Sequence, residues 1–176
     1  MKIFVLVASM AVPVLAYGQS ATSCPMHEQH LQASDRHAAG VDARGDHAMG
    51  FSHEHSAHHF HLLPDGGTIE VVASNANDAA TRDEIRMHLS HIAKMFTDGD
   101  FQVPMFIHDK VPPGVPVMKS KRSAIIYAFE PTTNGGQVHI SSADPDAVKA
   151  IHEFLAFQID DHRTGDSKVI ASPAYE

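Results

Sequence analysis

Between Phe51 and His61 the chain reads FSHEHSAHHFH, and five of its last nine residues are histidine: His53, His55, His58, His59 and His61. Neutral imidazole is the commonest metal ligand in proteins and suits zinc, copper, nickel and iron. The stretch from Ala57 to Leu63 alternates as a strand does. Phe60 and Leu62 then face one side, while His59 and His61 project from the other, about 6.6–7 Å apart along the strand. Two imidazoles on one face can share an ion if further ligands arrive from elsewhere. Without them the run is a solvated polar edge.

Later segments offer those ligands. Ile85, Leu89, Ile92 and Phe96 recur at helical spacing and mark a core face. At about 100° per residue, His88, His91 and Met95 fall within roughly 60° of one another on the flank beside it. Methionine at such spacing is more often core, the role expected for Met87. A proline-rich segment without clear periodicity, Asp100–Lys119, reads as an ordered loop of about twenty residues and adds Met105, His108 and Met118. One ion is therefore expected between His59 or His61, His88 and His91, with Met95, Met105, His108 or Met118 as softer partners. His53, His55 and His58 are assigned to weaker, additional ions. Imidazole mixed with thioether fits copper, which accepts imidazole as Cu(II) and thioether as Cu(I). Zinc fits less well, since His-Glu-x-x-His is absent. No Gly-x-Ser-x-Gly, P-loop or dinucleotide fingerprint occurs either.

Near the start, Cys24, Pro25, Met26 and His27 place a thiol, a thioether and an imidazole within four positions. This Cys-Pro-Met-His tetrapeptide resembles the corresponding segment of heavy-metal-binding modules attached to bacterial copper-efflux proteins, and it is assigned to weaker metal binding. A longer pattern consists of HHF at His58–Phe60, HLSHIAKMF at His88–Phe96, GDF at Gly99–Phe101, PMFIH at Pro104–His108, PPGVPVMK at Pro112–Lys119 and IHEFLAFQI at Ile151–Ile159. It resembles a group of small exported bacterial proteins of uncharacterised activity, over roughly Gly45–Asp166. The resemblance implies that these segments belong together and implies no reaction.

Charge and length narrow the classes further. Met1–Gly18 has the form of a secretory signal, with Lys2 ahead of an apolar run too short to span a bilayer as a helix. Cleavage is expected between Gly18 and Gln19, which makes the protein periplasmic or secreted. A lipoprotein is the less favoured alternative, because the residues before Cys24 make a poor lipobox. The 158 residues then left (176 less 18) suffice for one domain with a real core. The formal charge of −8 becomes −9 when Lys2 leaves, and no basic stripe is present, which argues against nucleic acid or anionic lipid. A single cysteine excludes an intramolecular disulfide.

The positioning elements read as a duplicated unit. Ala57–Leu63 and Thr68–Ser74 are strands joined through Pro64-Asp65-Gly66-Gly67; Ser123–Phe129 and Gln137–Ser141 are strands joined by a turn with Gly135-Gly136. A helix follows each pair. The first has an apparent capping box at Thr81–Glu84, and the second is capped by Asp144-Pro145, with Val148, Ile151, Leu155 and Ile159 as its apolar face. The expected fold is α+β, ferredoxin-like: a duplicated ββα, with a four-stranded mostly antiparallel sheet, two helices on one face, and an N-terminal helix over Met26–Met49. The divisions are 1–18 signal, 19–50 polar His-containing segment, 51–170 single metal-binding domain, and 171–176 tail. Either the N-terminal helix or a second subunit is expected to cover the face bearing His59 and His61. The functional expectation is a copper-binding protein for handling, sequestration or delivery, with a metal-donor or acceptor protein as its partner. A copper-dependent redox enzyme and a non-metal interaction domain with pH-sensitive histidines are the alternatives.

Overall fold

The computed structural model describes residues 25–171, apart from the side chains at 25–28, 30 and 31. The expected signal, its cleavage point, Cys24 and the side chains of Met26 and His27 lie outside the described residues. In chain order the elements are α1 (Pro25–Met49), β1 (Ser56–Leu63), β2 (Gly66–Ala73), α2 (Ala79–Thr97), α3 (Gln102–His108), α4 (Val115–Ser120), β3 (Ile125–Pro131), β4 (Gly135–Ser142) and α5 (Pro145–Asp161). Short 3-10 turns at His53–His55 and Arg122–Ala124 lead into β1 and β3.

The strands form one sheet in the order β1-β2-β4-β3, every neighbouring pair antiparallel. Alternation sorts their side chains. Phe60, Leu62, Ile69, Val71, Val138, Ile140, Ile125 and Tyr127 are buried on the side where α2 and α5 pack. Each helix presents a matching apolar stripe: Ile85, Leu89, Ile92 and Phe96 from α2, and Ile151, Phe154, Leu155 and Ile159 from α5. Stacked and edge-on rings of Phe96, Phe101, Phe154 and Tyr127 join the two. The duplicated ββα reading holds.

Glycine pairs reinforce the duplication. Gly66-Gly67 and Gly135-Gly136 open the two central strands rather than forming the turns; Pro64-Asp65 makes the first turn. Gly66 has φ +149°, and a Cβ there would meet the Ile140 carbonyl oxygen at 2.1 Å. At Gly135 a Cβ would meet the Val71 carbonyl oxygen at 2.0 Å. Each central strand begins where the other comes too close for a side chain.

Three local details differ from expectation. α2 begins at Ala79, because Asp78 caps it by accepting from Thr81 N at 3.1 Å and from Thr81 Oγ1 at 2.8 Å. The proline-rich segment contains α3 and α4: Pro104 and Pro116 fall in first turns, where no N–H is needed. Met87 is 70% exposed rather than in the core.

α1 does not cover the open sheet face. It packs on α3 in the helix layer, with Val41 buried and Arg44 Nε donating to the Ile107 carbonyl at 2.7 Å. The open face keeps His59, His61, Glu70 and His139. Part of its β1 edge is occupied by the segment after α5, where Phe60 N donates to Asp166 at 2.9 Å and Ala171 N donates to the Leu62 carbonyl at 2.9 Å. Among the described residues no helix is long and apolar enough to cross a membrane.

Candidate functional site

Alternation places His58 on the same face as Phe60, pointing into the helix layer. There it meets His88 from α2, His108 at the end of α3 and His162 just past α5, and all four line one small cavity of about 60 Å³. Apart from Gln158 its remaining wall is apolar, including Phe60, Ile69, Val71, Leu89 and Ile92, and Met49 from the end of α1 adds a thioether. The rings of His58 and His162 stack 5.5 Å apart and nearly parallel, at 3°. His162 stands edge-on to His108 at 5.0 Å. A cavity of this size accommodates an ion and little else; drug-sized ligands need several hundred Å³.

The four imidazoles fall into two kinds. His108 is 1% exposed and held at both nitrogens: Nδ1 hydrogen-bonds Asp161, and Nε2 lies 2.9 Å from the Gln158 side-chain amide. Burial lowers its pKa, against the opposing pull of Asp161. For Asp161, burial works to raise the carboxyl, but hydrogen bonds from His108 and His37, together with the charge of Lys110, outweigh it and hold the group below its ordinary value. A neutral imidazole beside an ionised carboxylate follows, with Nδ1–H donating. His108 Nε2 is then an acceptor, and it needs the Gln158 amide nitrogen opposite it rather than the oxygen. In the other orientation Gln158 Nε2 is buried without a partner. A half-turn of the amide removes the clash of lone pairs and gives that nitrogen its acceptor.

His58, His88 and His162 are different. None of their ring nitrogens makes a hydrogen bond among the described residues. Burial, reinforced by the neighbouring histidines, lowers His58 to about 4, His88 to about 4 and His162 to about 3. They are neutral at any ordinary pH, the form that binds metal. Their present orientation is not a formed coordination sphere, since the stacked His58 and His162 rings hold their in-plane lone pairs in separate parallel planes. Among the described residues no three of His, Cys, Asp and Glu are already set around a metal position. Rotation of the His58 and His162 rings about χ2 is required before they can converge.

The expected single site is divided by the sheet. His59 and His61 stack 6.4 Å apart on the open face, where His59 Nδ1 lies 3.1 Å from Asp166 and His61 Nε2 lies 3.7 Å from Glu70. They sit on the opposite side from His88, so one ion cannot touch both. Helix geometry also separates His88 from His91. His88 turns to the cavity, while His91 and Met95 line an open groove with His47 and Phe106. Met118 is fully buried among core side chains, and Met105 is half-buried and lines neither space. His53 is tied to Asp46 at 2.9 Å, which raises its pKa, and His55 is exposed beside the turn into β1.

His162, Met49 and the Asp161–Gln158 pair are the residues that sequence reasoning missed. His162 follows Gln158 and Ile159 by four and three positions, so it extends the buried seam of α5 by one more turn. That spacing was the available signal.

No family model matches the chain, and neither the curated proteins nor the solved structures returned a match.

Proposed function

We propose that the protein binds copper as cargo, in handling, sequestration or delivery, and that the cavity beneath α1 is where the ion is held. The observation that carries this reading is that three neutral, unpartnered imidazoles, His58, His88 and His162, and the Met49 thioether line one cavity of ionic size. Imidazole and thioether together suit copper in both oxidation states, whereas the absence of a carboxylate among these four donors favours magnesium and calcium least. His108, fixed by Asp161 and Gln158, stands behind the set and holds the His162 ring from its edge. Such an outer residue orients a ligand without itself binding.

Other readings have less support. A redox enzyme needs room for a substrate next to the ion, and this cavity is small. A sensor working near pH 6 needs histidines that titrate there, while burial moves these three to about 3–4. Export to the periplasm is part of the proposal and rests on the leader-like Met1–Gly18.

The test is Cu(II) titration of metal-free, untagged protein, followed by isothermal calorimetry and electron paramagnetic resonance. The parent is expected to bind one tight equivalent with nitrogen hyperfine structure. His58→Gln combined with His162→Gln should weaken it at least 100-fold, with a melting profile showing that the fold persists. His59→Gln with His61→Gln should leave it unchanged. Tight binding retained in the first pair and lost in the second would contradict the assignment.

A further inference from the structure

On the outer side of the α1–α2–α3 junction lies a second, open space of about 450 Å³, and its chemistry is distinct from that of the cavity. His91 and Met95 stand one helical turn apart on α2, and His47 faces them from the last turn of α1. Phe106, 49% exposed, walls the groove and lies 6.2 Å from the His47 ring between centroids. Neither His47 nor His91 has a hydrogen-bond or ion-pair partner among the described residues. Met95 is half-buried against the core, so its thioether forms part of a fixed floor. The groove and the cavity share Val103 as a common wall.

Two helices thus bring two unengaged imidazoles and one thioether to a surface groove with no carboxylate in its lining. A low-coordinate soft cation takes such donors. Cu(I) binds imidazole and thioether readily, needs few ligands and tolerates an apolar wall, whereas hard divalent cations gain nothing from a thioether. We infer that the groove formed by His47, His91 and Met95 is a second metal site, one that takes Cu(I) at the surface, separate from the buried imidazole cavity. An open site accepts an ion from a partner's ligands by exchange, one donor at a time, without opening the core. The inference belongs with the copper reading but shares no ligand with the cavity, so the two stand or fall separately.

The experiment uses the full chain labelled with 13C at the methionine methyls, titrated anaerobically with Ag(I) as a redox-inert stand-in for Cu(I). The Met95 methyl resonance is expected to shift at sub-saturating Ag(I). Met95→Leu, close to volume-conserving, and His47→Gln with His91→Gln should each lower Ag(I) affinity at this site at least tenfold. Competition with a Cu(I) chelator should show the same loss, while one equivalent of Cu(II) bound in the cavity keeps its nitrogen hyperfine pattern. A Met95 resonance unmoved at saturating Ag(I), or a Cu(I) capacity unchanged when Met95→Leu, His47→Gln and His91→Gln are combined, would overturn the groove site. Loss of Cu(II) binding in the parent with the Met95 shift intact would overturn only the cavity reading.

Discussion

At the scale of single residues, a one-position alternation decides which histidine belongs to the cavity. His58 and Phe60 share a face, and His59 and His61 share the other; this was legible in Ala57–Leu63 from the period of a strand alone. His59 and His61 lie on the open face, each with a carboxylate beside it. What cannot be read from one strand is which of its faces a helix will cover with further imidazoles. The titration of the cavity histidines gives a stability prediction for the metal-free protein. Their folded-state pKa values lie below the unfolded value of 6.5, so between about pH 3 and 6.5 the unfolded chain binds more protons. Stability should therefore be fully present above about pH 6.5 and fall as pH drops toward 3, by up to about 3 kcal/mol per histidine. Urea denaturation from pH 7 to 4.5 reads this directly, and His162→Gln should flatten the slope. An unchanged slope would mean that His162 is not held neutral by burial. A second prediction concerns His108: Gln158→Leu leaves its Nε2 without a partner in a buried place and should cost about 1–3 kcal/mol. Equal stability of parent and variant would show that the amide is not its donor.

At the scale of elements, the two hairpins and the helices after them were legible because periods of two and 3.6 alternate twice along the chain. Of the expected apolar face of α5, Ile151, Leu155 and Ile159 are buried and Val148 only half-buried, while Ala147, Ala150 and Phe154 are buried as well. The proline-rich segment hid α3 and α4 because short helices with prolines in their first turns show too few residues to establish a period. The role of the glycine pairs was also hidden: turn residues and strand-opening residues look alike until a neighbouring strand is placed against them. Gly67 is the sharpest case. A Cβ there would meet both the His61 carbonyl oxygen and Leu155 Cδ1 at 2.3 Å, so Gly67→Ala must push α5 or β1 away. The expected cost is about 1–3 kcal/mol, measurable as a shift of the urea midpoint. A neutral substitution would mean that the β1–β2 hairpin and α5 approach less closely than described.

At the scale of the whole molecule, the sheet is a partition. On one side α1, α2, α3 and the end of α5 line the imidazole cavity, and on the other His59 and His61 face outward with carboxylate partners. Donor-rich segments far apart in the chain meet because α1 closes over α3 and contributes Met49 to the same space as His162, more than a hundred residues later. Residue spacing cannot reveal such a meeting, which depends on the hand and closeness of helix packing. The central claim is that this helix-covered side, not the open face, takes up copper. Anomalous diffraction at the copper absorption edge, from crystals of the full chain loaded with one equivalent of Cu(II), tests it most directly. The account predicts a single strong peak within bonding distance of the ring nitrogens of His58, His88 and His162. A peak confined to His59 and His61, or none inside the helix layer at full occupancy of the protein, would contradict it.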